Sequence, residues 1–264
     1  MIRIEKLSVV FGTGTALENR VIDELSLEIP AGQFVTVIGS NGAGKSTLLN
    51  VIAGEVPVSS GRVLIGEHDV TRWPAAQRSA QVARVFQDPR AGTCENLTVE
   101  ENLALAASRG HRRGLRLALG VSRRARFRAA LEGLGLGLEK RLDDQIGQLS
   151  GGQRQAVSLL MASIEPMKIL LLDEHVAALD PRTASLVLEL TRRVINEQKL
   201  TALMVTHSMR HALALGDRTL MLHEGRIVLD LCGAERGNTD VDGLIAQFRR
   251  QHGEALDSDS LLLG

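Results

Sequence analysis

The chain has 264 residues, with 31 Lys plus Arg against 31 Asp plus Glu, so its formal net charge is zero. That balance excludes a nucleic-acid binder working by bulk positive charge, which needs a clear cationic excess. Hydrophobic residues at 44% and charged residues at 23% exclude intrinsic disorder and supply apolar surface for a sizeable core.

In chain order, residues 1–10 alternate apolar Ile2 and Ile4 with Arg3 and Glu5, which predicts an edge-type strand. The same charges interrupt any signal-peptide core, so the expectation is a protein that stays in the cytoplasm. Residues 25–29 predict a second strand, and Pro30-Ala-Gly32 a turn. Residues 34–38 form a β-rich apolar run of buried-strand length that empties into a glycine-rich loop over 39–47, followed by helical spacing over 48–53 that Gly54 stops. From Gln87 to about residue 161 the pattern is helical, clearest over 99–107 and 125–134. Strands resume at 168–172 and 201–206 around a helix over 182–198, a strand-helix-strand unit with parallel order expected. A hairpin is expected to pair 218–222 with 226–231. Residues 251–264, with Glu254, Asp257 and Asp259, read as a frayed acidic tail. No apolar run approaches the roughly 18 residues of a membrane span. Cys94 and Cys232 lack disulfide or zinc spacing, and the lack of Tyr with a single Trp73 argues against a base-stacking platform.

Gly39-x-x-x-x-Gly44-Lys45-Ser46 has the phosphate-loop spacing. Small residues among Gly39, Ser40, Asn41, Gly42, Ala43 and Gly44 let consecutive backbone N–H groups converge on phosphate oxygens at a helix N-terminus. Lys45 can reach the β- and γ-phosphates, the Ser46 hydroxyl can ligate magnesium, and Thr47 completes the loop. Such a site needs acids at the end of a neighbouring strand, and residues 169–174 supply Asp173 for the magnesium shell and Glu174 to polarise the attacking water. Ser150-Gly151-Gly152-Gln153, opening a helical pattern after Leu149, is a second anion-binding nest.

With both phosphate-facing surfaces in one chain, the sequence resembles the ATP-binding-cassette (ABC) ATPases over about residues 2 to 248. The motif order is that of the family: phosphate loop, glutamine loop at Gln87, signature at 149–153, Asp173-Glu174, D-loop at Ala178-Leu179-Asp180, and switch histidine His207. The resemblance implies an α/β P-loop NTPase fold: a RecA-like core with an antiparallel β subdomain, plus an inserted helical signature subdomain. One ATP-binding domain over 2–250, with its helical insertion at about 88–163, is expected. It further implies a head-to-tail homodimer in which Ser150, Gly151, Gly152 and Gln153 of one subunit close on ATP held by the other. By the same resemblance Gln87 senses magnesium, His207 contacts the γ-phosphate and Asp180 crosses the dimer interface. Phe11 stands where the family has a ring stacked on adenine; the other reading is a core Phe of the first strand. The cofactors implied are ATP and Mg2+.

His175-Val176 replaces the family's usual Pro-Thr after Glu174. His175 is either an extra acid-base group or a structural histidine, and no reacting group is lost. The segments 173–181 and 87–93 look like a bacterial uptake subgroup paired with integral membrane permease subunits of the branched-chain amino-acid or sugar type and a substrate-binding lipoprotein. The expected role is ATP-driven import of an amino acid or similar small solute, with the ATPase peripheral on the inner face of the cell membrane. The same motifs would serve an exporter. A soluble cassette ATPase acting on DNA or ribosomes is disfavoured, because no coiled-coil insertion or second cassette is visible and neutral charge argues against nucleic acid as partner. Residues 109–128 hold eight arginines and no acid. Either this run, with Arg112, Arg113 and Arg116 at its centre, faces anionic headgroups or permease loops, or it is a solvated helical face.

Overall fold

The computed structural model describes residues 1–111 and 120–252. In chain order the elements are β1 (Ile2–Phe11), β2 (Asn19–Ile29), β3 (Phe34–Gly39), α1 (Lys45–Ala53), β4 (Ser60–Ile65), β5 (His68–Asp69) and α2 (Ala75–Arg78). Then come β6 (Val82–Val85), α3 (Val99–Ala107), α4 (Val121–Glu132), α5 (Gly151–Ser163), β7 (Ile169–Asp173) and α6 (Pro181–Gln198). The chain closes with β8 (Thr201–Val205), α7 (Met209–Ala214), β9 (Arg218–His223), β10 (Arg226–Cys232), α8 (Gly233–Gly237) and α9 (Val241–His252). The chain divides into two compact units, one of Met1–Arg78 with the chain from Leu200 onward, the other Ser79–Lys199.

In the first unit, β1 is not an edge strand: β2 and β4 flank it in the order β2-β1-β4-β5. Ile2 and Ile4 face Ile29 and Leu27 on one side and Ile65 and Val63 on the other, all buried. The charges that suggested an edge belong to its other face, where Glu5 sits opposite Arg62 and pairs with it at 2.7 Å. In the other sheet of this unit, β3 pairs in parallel with both β8 and β9, and β9 with β10 forms the expected antiparallel hairpin. All six residues of β3 are buried, as a parallel strand covered on both faces requires. Ile38, Met209, Ala212, Met221, Leu231 and Leu244 join β3, α7, β9, β10 and α9 in one apolar cluster. At the far end of α1, Arg78 is only 2% exposed and donates to the carbonyls of Ile52, Trp73 and Thr71 at 3.0–3.1 Å and to that of Val51. A cation there satisfies the orphan carbonyls of the helix C-terminus.

In the second unit β6 and β7 pair in parallel, Val85 beside Leu172. Thr98 and Glu101 form a capping box that starts α3. The helix α4 begins four residues before the expected 125 and buries Phe127 and Leu131. The short strands β4 and β6 were not anticipated from the sequence pattern. No helix among the described residues is long and apolar enough to cross a membrane.

Candidate active site

The phosphate loop follows directly from β3. Gly39 has φ 150°, and a Cβ there would lie 2.1 Å from the Leu222 carbonyl oxygen of β9, so only glycine lets the two strands approach this closely. Lys45 opens α1 and is 5% exposed, its Nζ donating to the carbonyls of Gly39 and Ser40 at 2.7 and 2.8 Å. The ammonium is thus folded back on the loop that it serves. Ser46 is exposed on the first turn of α1. At the other end, Gly54 caps the helix in the left-handed conformation, as its position predicts.

Strand register decides what else lies at this end. Val37 of β3 pairs with Val205 of β8, so Gly39 and His207, each two residues further on, leave the same end of a parallel pair. The Thr206 N–H donates to the Val37 carbonyl at 3.1 Å and Ser208 caps α7, which fixes the backbone on both sides of His207. Phe11 is 44% exposed and pairs with Asn19, which removes the core reading of this ring. Two residues along β2, the Val21 carbonyl would be 2.8 Å from a Cβ on Gly44, so this strand end borders the loop.

The same reasoning applies in the second unit. Val85 beside Leu172 places Gln87 and Glu174 two residues beyond matched positions, at the carboxyl end of the β6–β7 pair. Gln87 is exposed there and Glu174 half-buried. Glu174 has φ 46°, a left-handed conformation that costs a non-glycine residue about 1–3 kcal/mol and clusters at functional positions. The Ala177 N–H donates to its carbonyl at 2.9 Å. His175 is 1% exposed and its Nε2 is 3.0 Å from the Thr191 hydroxyl. Thr191 Oγ1 donates to the Val187 carbonyl at 2.8 Å, so it accepts from His175. That burial and bond make His175 an anchor of the loop on α6, not a second acid-base group.

Ser150 caps α5, its hydroxyl accepting from the Gln153 N–H at 3.3 Å while Gln153 Oε1 accepts from the Ser150 N–H at 3.2 Å. This capping box leaves Ser150 and Gly151 exposed and Gly152 buried. Asp180 caps α6, accepting from the Thr183 N–H at 3.1 Å. Hydrogen bonds from the Thr183 side chain and backbone hold the Asp180 carboxyl below its usual range. A carboxylate that is more acidic folded than unfolded stabilises the fold above its unfolded pKa, and the effect is lost as pH falls through the folded value. The melting temperature of wild type minus that of Asp180→Asn is therefore expected to be largest near neutrality and to shrink below about pH 4.

Sequence reasoning missed Arg84, whose Nη2 donates to Asp173 Oδ2 at 2.6 Å. The available signal was one arginine inside the apolar run Val-Ala-Arg-Val. In the basic run, Arg124 pairs with Asp143 at 2.6 Å and with Glu100, and Arg126 pairs with Glu165 at 2.8 Å. Arg109 donates to the Ala162 carbonyl at 2.9 Å. These arginines are engaged by their own unit, while Arg112, Arg113 and Arg116, like the acidic tail beyond residue 252, lie outside the described residues.

The sequence model of the family described as ABC transporter matches residues 22–177. A tyrosine transport ATP-binding protein of Clostridioides difficile is 45% identical over 94% of this chain and 98% of its own. An aliphatic sulfonates import ATP-binding protein of Rhizobium johnstonii is 40% identical over 81% and 72%, and a thiamine import ATP-binding protein of Yersinia pseudotuberculosis 37% identical over 87% and 89%. Among solved structures, a dimeric ATP-binding cassette in a post-hydrolysis state bound to ADP and Pi superposes with TM-score 0.75 at 27% identity, covering 88% of this chain and 98% of that one. An ABC transporter cassette in its ADP conformation gives TM-score 0.76 at 26% identity, over 94% and 98%. The fold is that of the α/β P-loop NTPases, and the chain belongs to the ABC transporter family, as one of its ATP-binding subunits.

Proposed function

We propose that the chain hydrolyses ATP to drive a separate membrane permease that imports an amino acid or similar small solute. The observation that carries this reading is the 45% identity, over nearly the whole of both chains, to a tyrosine transport ATP-binding protein. The complete system would hold two copies of this chain, two permease subunits and a substrate-binding lipoprotein, with the ATPase peripheral on the inner face of the membrane. The post-hydrolysis dimer among the structural relatives supports the two-fold arrangement, which presents each phosphate loop to a signature nest of the other copy.

In this reading the backbone N–H groups over 39–47 cradle the triphosphate, Lys45 turns from its loop carbonyls to the β- and γ-phosphates, and Phe11 stacks on adenine. Glu174 takes the proton of the attacking water, and His207 contacts the γ-phosphate. Ser150, Gly151, Gly152 and Gln153 face the ATP of the opposite subunit, and Asp180 lies at the dimer interface. Ser46, Gln87 and Asp173 would hold magnesium, which when bound neutralises charge on the β- and γ-phosphate oxygens. These are hard oxygen donors, and no group of three His, Cys, Asp or Glu is gathered among the described residues. That set suits Mg2+, which takes one or two protein oxygens and completes its shell from phosphates and water.

The test is reconstitution of the chain with its permease in vesicles, followed by uptake of labelled tyrosine and related amino acids. ATP-dependent uptake is expected, and ATP-driven movement only in the opposite direction would overturn import. In the isolated chain, Lys45→Ala removes a charged donor worth about 1.5–3 kcal/mol. Titration with a fluorescent ATP analogue should show nucleotide affinity lower by roughly ten- to a hundredfold; retained tight binding would refute the role of Lys45.

A further inference from the structure

Within β6, Val82, Ala83 and Val85 are buried, and Arg84 is itself only 11% exposed. A buried guanidinium is tolerated where it is paired and hydrogen-bonded. Arg84 stands opposite Leu171 in the parallel register, and Asp173 is on the same face of β7 two residues on. The arginine therefore reaches diagonally along the pair to Asp173, itself 13% exposed. Two residues on, just past the end of β6, the Phe86 ring centroid lies 4.6 Å from the guanidinium carbon, a cation–π distance. The Phe86 carbonyl accepts from Gln155 Nε2 of α5 at 3.0 Å. Arg84 thus lies between the ring of Phe86, whose backbone carbonyl is bonded to the signature helix, and the carboxylate that ends β7.

We propose that Arg84 is a built-in counter-ion of Asp173, holding that carboxylate before nucleotide arrives and so setting the magnesium dependence of ATP binding. The inference rests on the assignment of Asp173 to the magnesium shell. A bare carboxylate at the strand end repels a triphosphate, and Arg84 cancels that repulsion while no cation is bound. The same pairing opposes magnesium, because Arg84 and the cation draw on one charge. Neutralising Arg84 therefore has two opposite consequences: ATP binds less well without magnesium, and less magnesium is needed to restore binding.

The experiment titrates a fluorescent ATP analogue onto the full chain in EDTA and over a magnesium series, with melting temperature as the check on folding. The quantity read is the ratio of affinities with and without magnesium. Arg84→Gln and Arg84→Met are expected to raise that ratio about fivefold or more, the lower end of ordinary coupling between sites. Arg84→Lys, which keeps the charge, should stay within about twofold of wild type. A lower melting temperature with an unchanged ratio would mean that the pair only holds β6 to β7, and would overturn the proposal. Asp173→Asn separates the two readings. If it leaves the ratio unchanged, the assignment of Asp173 itself fails; if it changes the ratio while Arg84→Gln does not, only the counter-ion fails. In the Asp173→Asn background, Arg84→Gln should shift the magnesium concentration needed for binding by no more than about twofold, because Arg84 and the cation no longer share a carboxylate. A fivefold effect there would overturn the proposal, and this comparison stands even if Arg84→Gln alone does not fold.

Discussion

Glu174→Gln is expected to bind ATP as well as wild type and to hydrolyse it about a hundredfold or more slowly, since a positioned general base contributes roughly that much or more. The substitution keeps size and hydrogen-bonding reach and removes only the ability to take a proton, so affinity and turnover should separate cleanly. The backbone supports this. Glu174 is held at φ 46°, and the next residue, His175, is tied to Thr191 at 3.0 Å, so the backbone that carries the side chain is fixed on the loop. With hydrolysis blocked and ATP retained, the dimer should accumulate. Size-exclusion chromatography in ATP and magnesium would show the variant as a dimer under conditions where wild type returns to monomer, and phosphate release would give the rate. Near-normal turnover would refute Glu174 as the base, whatever the oligomeric state.

How far the sequence reveals this site depends on how local each element is. The phosphate loop, the acids after 169–172 and the nest that begins at Ser150 are each specified by a few consecutive residues, so spacing alone marks them as candidates. The hairpin β9–β10 was legible for the same reason, with His-Glu-Gly between two apolar runs. What failed was relational. The strand β1 reads as an edge because Arg3 and Glu5 decorate one face; its interior place follows from Glu5 standing opposite Arg62 of β4. The strand β4 begins Ser-Gly-Arg, which looks like a turn, and β6 is four residues long, too short for any period to stand out. With β6 unseen, Arg84 had no strand to sit on and its ion pair with Asp173 had no visible cause. His175 likewise could be read as reactive until Thr191, sixteen residues on, was found to hold it.

Gly152→Ala is expected to destabilise the second unit. A Cβ at Gly152 would lie 1.9 Å from Thr183 Cγ2, and Thr183 is held in place because both its N–H, at 3.1 Å, and its side chain hydrogen-bond the Asp180 carboxylate. The helices α5 and α6 must then move apart, an overpacking cost of about 1–3 kcal/mol, or a melting temperature lower by roughly 2–12 °C for a domain of this size. At Gly151 a Cβ would meet only Leu179 Cδ2, at 3.6 Å, an ordinary contact, and alanine is the better helix former by about 1 kcal/mol. The two glycines therefore separate packing from phosphate approach. Gly152→Ala with Thr183→Ser, which deletes the offending methyl, should regain most of the lost melting temperature. Under the proposed head-to-tail arrangement, neither that double variant nor Gly151→Ala should hydrolyse ATP at the wild-type rate, because a methyl on the signature turn would keep backbone N–H groups from the ATP of the other copy. Full turnover in a stable Gly151→Ala would remove Gly151 from the composite site. Recovery of turnover together with stability in the double variant would make Gly152 a packing residue, present so that the first turn of α5 can lie against the first turn of α6.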